Sequence, residues 1–328
     1  MIQEVSLAQI LNRIDISQSL KELIKDVVRE YAVGKVISWE PMRVGYSDVN
    51  VKVITSTGIY LLKIFNKDKS YQNIADYIKG LVEFRKVGVP TPRLLKNKNK
   101  FLYKLPGNKI YLCLMEFFDG KNFNDVKITK KDLAVITTYI TKIHKLRFSI
   151  HKNYDSWGTV NLLKEYRLKG KYLTKEDRKL LDPVINDFKK INFSQLPKSI
   201  IHGDLHKDHV LKNRRGEYCL IDLDVMDFNA RVVDLAIFLA LIAYELDSAQ
   251  KDRETYKFIL KEYQHHIQLN RYELQVLPTL IRATYLVYLI RSNFELIVNR
   301  DRSKQTSDWF YLARKGLIIS LNSSARGK

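Results

Sequence analysis

The chain has 328 residues, and its 45% hydrophobic content is ample for the core of one large domain or of two lobes. The formal net charge is +20, which weighs slightly against a strongly cationic substrate. Such an excess also permits binding to a polyanion, but we attribute it to a lysine-rich surface and expect no nucleic-acid partner.

The chain shows no sign of a targeting or membrane segment. Glu4 interrupts the amino terminus, which lacks a sustained apolar core, so we expect no signal peptide. The longest uncharged apolar run, Leu235 to Tyr244, is too short to span a bilayer and predicts a buried helix. Cys113 and Cys219 have no metal or redox spacing, which predicts reduced core thiols in a cytoplasmic protein.

The first third of the chain changes from helical to strand periodicity. Residues 1–33 carry apolar positions at helical spacing, and Ser19 with Glu22 has the pattern of a capping box at a helix start. From Val36 to Phe65 the apolar positions alternate around two turns, the first of which contains Gly45.

A lysine stands within the last of these strands. Lys63 is flanked by Leu62 and Ile64, and an unpaired charge in a buried strand is costly, so we expect it to be paired. A glycine-containing turn followed by a lysine on a later strand is the arrangement that covers and pairs nucleotide phosphates. An ordinary hairpin can also contain such a glycine, so the prediction of a phosphate-binding site depends mainly on Lys63.

Helices and one strand follow. Residues 71–87 are predicted to form a helix, and Ile110 to Met115 a strand that runs into Glu116. Further helices are predicted in the ranges 129–148, 159–190, 232–246, 251–269, 272–298 and 306–321.

Several side chains in the helical region have two possible roles. We interpret His144 as a hydrogen-bonded residue at the end of a core helix. Trp157, Tyr166 and Tyr172 could line an acceptor pocket, but we favour packing for each of them.

Residues 200–238 carry the chemistry of the chain. The apolar pair Ile200-Ile201 leads to Asp204, and the apolar run from Tyr218 to Ile221 leads to Asp222. The polar turn at residues 214–217 predicts a hairpin that brings the two carboxylates to the same end. Paired carboxylates at strand ends suit hydroxyl activation and divalent-metal binding, which is the chemistry of phosphoryl transfer.

A zinc site is a competing interpretation of the same stretch. His202, His206 and His209 have spacings that would align three imidazoles on one helix face. Gly203 and the flanking strand signals argue against a helix here, so we reject the zinc site.

The chain resembles the aminoglycoside phosphotransferase and choline kinase-like family in three motifs. These are HGDLHKDHV at residues 202–210, IDLD at residues 221–224 and DLA at residues 234–236. The resemblance implies an α+β, two-lobed protein-kinase-like fold with the nucleotide in the cleft. Residues 1–117 would form a nucleotide-binding lobe with an antiparallel sheet, and residues 118–328 a helical lobe with the catalytic loop and acceptor site.

The resemblance also assigns roles to individual residues. Asp204 is the expected catalytic residue, and Asp222 the expected metal ligand with Asp224. His209 stands where the family usually has an asparagine metal ligand, and we keep it in the metal set. Because imidazole is a poorer Mg²⁺ ligand than an asparagine oxygen, contact with metal-bound water or phosphate is the alternative role for His209. The residues expected to contact the nucleotide are Gly45, Ser47, Lys63, Glu116 and Phe118, the last two through the hinge between the lobes. Either Asp76 or Glu83 is expected to pair with Lys63, and the sequence does not choose between them.

The function implied by the resemblance is transfer of the γ-phosphate of ATP or GTP, with Mg²⁺, to the hydroxyl of a small molecule. The alternative is a catalytically weak or inactive relative, such as a spore-coat-associated structural protein. The sequence leaves the acceptor, the choice between ATP and GTP and the oligomeric state open.

Overall fold

The structure is a computed structural model that describes residues 11–14, 16, 18–42, 47–151, 154–243 and 249–325. Gly45 and the first ten residues of the predicted amino-terminal helical segment lie outside these ranges. The order of elements is an antiparallel sheet with two helices, then a mostly helical region, which gives an α+β architecture.

The sheet has the strand order β1-β2-β3-β5-β4, with antiparallel neighbours throughout. Its strands are β1 (Val36–Pro41), β2 (Val49–Thr55), β3 (Gly58–Ile64), β4 (Tyr103–Lys104) and β5 (Tyr111–Glu116). Every second residue of β2 is buried, as expected of a strand that covers a core with one face.

That face packs against helix α1 (Leu20–Glu30) in a core of its own. The predicted capping box is confirmed, because the Ser19 hydroxyl accepts from the Glu22 N–H and the Glu22 carboxylate accepts from the Ser19 N–H. The next helix, α2 (Tyr71–Lys86), matches the predicted range and packs instead with the larger core.

The larger core is mostly helical. Its helices after α2 are α3 (Lys130–His144), α4 (Leu162–Lys169), α5 (Lys175–Lys189), α6 (Val232–Phe238), α7 (Ala249–Gln264), α8 (Arg271–Ile297) and α9 (Lys304–Ala325). The apolar helix predicted from residue 232 continues after α6 as a π-helical turn, Leu239–Ala243, and residues 244–246 of that prediction lie outside the described ranges.

Two small sheets hold the predicted catalytic stretch. Strands β8 (Val210–Lys212) and β9 (Tyr218–Leu220) form the predicted hairpin, with β6 (Lys121–Asn122) beside β8. The pair Ile200-Ile201 is not part of that hairpin. It belongs to β7 (Lys198–Ile201), which pairs with β10 (Asp227–Ala230) and so returns the chain beneath the catalytic loop.

The predicted division into lobes of residues 1–117 and 118–328 stays a prediction. Within the described ranges, none of the helices has the length and apolar character needed to cross a membrane.

Candidate active site

A cleft of about 480 Å³ brings most of the predicted site residues together. Strands β2 and β3 contribute one wall, and the loops that follow β7 and β9 contribute the other. Its lining includes the predicted residues Ser47, Lys63, Asp204, His209, Asp222 and Asp224.

The loop that carries Asp204 is anchored from below. The Asp234 carboxylate accepts the backbone N–H groups of His202 and Gly203, each at 2.7 Å. His144 supports that carboxylate, with Nε2 at 3.3 Å from Asp234 Oδ2. Gly203 has φ +83°, and a Cβ there would lie 2.4 Å from the Val225 carbonyl oxygen, so this position requires glycine. The predicted role of His144, as a hydrogen-bonded residue at the end of a core helix, is therefore confirmed.

Asp204 lies between a tyrosine and a histidine. The Tyr288 hydroxyl donates to Asp204 Oδ1, and His209 Nδ1 lies 3.5 Å from Oδ2. Burial raises the pKa of Asp204 to about 6, although His209 and the Tyr288 hydrogen bond act in the opposite direction. The carboxylate can therefore accept a proton at a pH close to neutrality.

His209 bridges the two carboxylates that the sequence places at one end of the hairpin. Its Nδ1 lies 2.7 Å from the Asp204 carbonyl oxygen, and its Nε2 lies 3.5 Å from Asp222 Oδ2. The His209 carbonyl accepts the Ile221 N–H at 3.0 Å, which fixes the ring beside Asp222.

Asp222 has the features of a cation ligand. Its φ is +64°, an unfavourable value for a residue with a side chain. Its Oδ1 atom is buried and has no hydrogen-bond partner among the described residues. Burial acts to raise the pKa of Asp222, but His209 and the lysines outweigh it and hold the pKa well below its usual range. An ionised carboxylate with a free buried oxygen fits a divalent cation.

Lys63 is paired, but not with the expected helix. Its Nζ atom lies 2.6 Å from Asp48 Oδ2 and 3.3 Å from Asp224 Oδ2. A second ammonium, Lys69 Nζ, lies 2.8 Å from Asp48 Oδ2 and 2.9 Å from Asp224 Oδ1. Burial acts to lower the pKa of each lysine, but the two carboxylates outweigh it and raise both values. Two ammonium groups and two carboxylates thus form a buried cluster at the cleft.

The two candidates on α2 have other partners within the described ranges. Asp76 accepts from the His151 N–H and its ring, and Glu83 pairs with Lys86. The expectation that one of them pairs with Lys63 is therefore not met. The loop before β2 supplies the partner instead, through Asp48.

The predicted hinge residues lie apart from this cleft. Glu116 is the last residue of β5, where its side chain pairs with Arg93, and Phe118 accepts the Gly120 N–H through its carbonyl at 3.0 Å. Neither lines the cleft. Their contact with a nucleotide base stays a prediction, as does the role of Gly45, outside the described ranges.

Aromatic side chains form the end of the cleft beyond Asp204. Tyr288 stacks obliquely on Trp309, with ring centroids 5.0 Å apart, and Trp157 meets Tyr288 edge to face at 5.3 Å. Asp155 lines the same end, where burial and the nearby Asp204 raise its pKa to about 7. Trp157 thus lines the cleft, although we favoured packing for it.

The other two aromatic candidates lie elsewhere. Tyr166 donates to Asp182, and Tyr172 packs edge to face on Phe294. For these two, the preference for packing is confirmed.

Sequence reasoning missed several residues of the cleft. Among them are Asp48, Lys69, Asp155, Tyr288 and Trp309. For Asp48 a signal was available, because this acid stands in the glycine loop at a position where the family commonly has asparagine. The other four lie in segments without a recognisable motif.

Comparisons with known proteins identify the family of this chain. The model of the phosphotransferase enzyme family matches residues 38–259. The chain belongs to this family. A homoserine kinase from Methylobacillus flagellatus is 22% identical over 223 residues, which cover 66% of this chain and 67% of that protein.

Solved structures show the same fold at low sequence identity. An amicoumacin kinase in complex with AMP-PNP and Ca²⁺ superposes with a TM-score of 0.70 and 16% identity, covering 97% of this chain and 96% of the other. A microcompartment-associated aminopropanol kinase superposes with a TM-score of 0.66 and 13% identity, covering 93% and 98%. The predicted protein-kinase-like α+β fold is confirmed.

The family and the relatives define the class of activity. This protein is a small-molecule kinase, a phosphotransferase that acts on a hydroxyl acceptor. The alternative of an inactive structural protein is not favoured, because the proteins that it resembles are kinases.

Proposed function

We propose that the protein transfers the γ-phosphate of ATP, held with Mg²⁺ or another divalent cation, to the hydroxyl of a small acceptor that also carries an amine. The observation that carries this proposal is the position of Asp204. It lies between a cluster of lysines and metal-type carboxylates on one side and an aromatic pocket with its own carboxylate on the other.

The end of the cleft with the two lysines fits a nucleoside triphosphate. The Lys63 and Lys69 ammonium groups line the cleft, where both contact the Asp224 carboxylate. When a nucleotide binds, they can leave this carboxylate and bind phosphate oxygens instead. ATP is favoured over GTP because the amicoumacin kinase structure contains an adenine nucleotide analogue.

Asp222 and His209 would hold the divalent cation. Asp224 would join them when Lys63 and Lys69 contact phosphate oxygens in place of its carboxylate. When bound, such a cation neutralises the charge that develops on the transferred phosphoryl group. The residues of the chain would fix its position relative to Asp204.

Asp204 would orient the acceptor hydroxyl and take its proton as the oxygen attacks phosphorus. Its raised pKa of about 6 suits this role, since the ionised form predominates at neutral pH and still has appreciable basicity. Tyr288 holds the carboxylate in place through its hydroxyl.

An amine on the acceptor is favoured by Asp155 and the rings around it. A carboxylate beside Trp157, Tyr288 and Trp309 offers an ion pair and cation–π contacts to one ammonium group. The relatives act on homoserine and aminopropanol, each of which has one amine and one hydroxyl. One amine is also compatible with a chain of net charge +20.

A matched acceptor panel tests this proposal. ADP release is measured with wild type and Asp155→Asn on amino alcohols and on the same alcohols without the amine. We expect wild type to prefer the amino alcohols and Asp155→Asn to lose most of that preference through a raised KM. Equal activity on both sets would contradict the amine, and no ADP release with any alcohol would contradict the acceptor class.

A cytoplasmic location is also part of the proposal. Cys113 and Cys219 are both free and buried, which suits a reducing compartment.

A further inference from the structure

His209 occupies the position at which the family's metal-binding loop usually has an asparagine, and its geometry limits what it can bind. Its Nδ1 atom faces the Asp204 carbonyl oxygen at 2.7 Å. Because a carbonyl oxygen only accepts, the proton of the neutral ring is assigned to Nδ1. The lone pair of the neutral ring is therefore on Nε2, which faces the Asp222 carboxylate.

A histidine binds a metal in its neutral form, and in that form two acceptors face each other across a short gap. His209 Nε2 and Asp222 Oδ2 are 3.5 Å apart, and Asp222 Oδ1 is buried without a hydrogen-bond partner in the described part of the chain. Two ligand atoms with metal bonds of about 2.1 Å stand roughly 3.0–3.4 Å apart on an octahedral or tetrahedral centre. The gap is close to the separation that one cation would require.

The chemistry of these two donors selects among cations. Mg²⁺ prefers oxygen ligands and near-ideal octahedral geometry, whereas imidazole nitrogen suits first-row transition metals. Replacing asparagine oxygen by imidazole nitrogen therefore weakens the site for Mg²⁺ relative to Mn²⁺ or Co²⁺.

We propose that the nucleotide metal site of this kinase, formed by His209 and Asp222, selects a first-row transition dication such as Mn²⁺ or Co²⁺ over Mg²⁺. The inference rests on the proposed function, because it concerns the cation that accompanies the nucleotide. His209 acts here as the selectivity-determining ligand.

His206 provides the competing explanation and the matched control. One oxygen of Asp204 lies 3.6 Å from His206 Nε2 and 3.5 Å from His209 Nδ1, so these three residues could also hold an ion. That arrangement would use Nδ1 of His209 and leave Asp222 out. A substitution at His206 would weaken it, whereas the site that we propose does not require His206.

The test measures metal binding directly and does not depend on turnover. Calorimetric affinities for AMP-PNP are measured with Mn²⁺, Co²⁺ and Mg²⁺ in wild type, His209→Asn and His206→Gln, and each is corrected for the metal affinity of free AMP-PNP. Electron spin echo spectroscopy of the Mn²⁺ complex with AMP-PCP, which has no bridging nitrogen, detects ¹⁴N of a coordinated imidazole. Melting temperatures without ligand show whether each variant is folded.

We expect wild type to favour Mn²⁺ over Mg²⁺ by at least tenfold and to show the ¹⁴N signal. His209→Asn should reduce that ratio about tenfold and lose the signal, and His206→Gln should change neither. An unchanged ratio in a folded His209→Asn, or a ¹⁴N signal lost only in His206→Gln, would overturn the inference alone. No nucleotide binding by wild type with any cation would overturn the proposed function as well.

Discussion

Replacing Asp48 by asparagine tests whether the loop before β2, rather than α2, pairs with Lys63. The Asp48 side chain is 1% exposed, and one of its oxygens lies 2.6 Å from Lys63 Nζ and 2.8 Å from Lys69 Nζ. Asparagine keeps the shape and can still accept the Asn66 N–H, which Asp48 accepts at 2.9 Å. The substitution therefore removes mainly the charge.

The expected cost follows from burial. Removing one partner of a buried ion pair costs about 3–5 kcal/mol, because the remaining charge is left uncompensated. Asp224 still contacts both lysines, so we expect the lower end, about 3 kcal/mol. The assay is urea unfolding followed by circular dichroism and by tryptophan fluorescence.

Asp76→Asn on α2 is the matched control. Asp76 is 15% exposed, but its partner His151 is 64% exposed, and an ion pair that water reaches on one side contributes about 1 kcal/mol or less. The free energy of unfolding should therefore fall much less than in Asp48→Asn. A larger loss in Asp76→Asn would refute the assignment of Asp48 as the partner of Lys63.

Three further predictions concern the catalytic loop. In the proposed mechanism ionised Asp204 is the active form, so kcat/KM should reach a plateau above an apparent pKa of about 6 and fall about tenfold per pH unit below it. A flat profile from pH 5 to 8 would exclude this base. In Tyr288→Phe the carboxylate loses a hydrogen bond that lowers its pKa, so the midpoint should move to higher pH, and a shift to lower pH would contradict the assignment. Gly203→Ala should lower the free energy of unfolding by about 1–3 kcal/mol and reduce kcat, since its Cβ would meet the Val225 carbonyl oxygen; wild-type stability and kcat would refute this.

The central part of the site could be predicted because it is local in sequence. Asp204, His209 and Asp222 lie within 19 consecutive residues, and one hairpin brings them together. Their motif and the turn of the hairpin could be recognised without knowledge of the rest of the chain. The pairing of β7 with β10 was not, because the sequence analysis predicted no strand at β10.

The ion-pair cluster could not be predicted in the same way. The pairing of Lys63 with Asp224 joins residues 161 positions apart, and Lys69 is an ordinary surface-type lysine in sequence. The family pattern suggested an acid on α2, whereas the fold directs Asp76 towards His151. Periodicity identifies buried strands and helices, but it does not indicate which loop carboxylate reaches a buried lysine.

The acceptor end was missed for a related reason. Trp157 and Trp309 lie on opposite sides of the catalytic motif in sequence, and Tyr288 lies within a helix that is buried along most of its length. In sequence each looks like a core residue. The packing of α8 and α9 behind the catalytic loop brings Tyr288 and Trp309 beside Asp204, and Trp157 reaches the same place by packing on Tyr288.

The central claim is that the cleft binds ATP through a cation held by Asp222. Calorimetric titration of AMP-PNP into wild type and Asp222→Asn, with Mg²⁺, with Mn²⁺ and with no divalent cation, tests it most directly. We expect wild type to bind at least tenfold more tightly with a cation than without, and Asp222→Asn to lose that gain. Equal affinity with and without the cation, or the same gain in Asp222→Asn, would contradict the account.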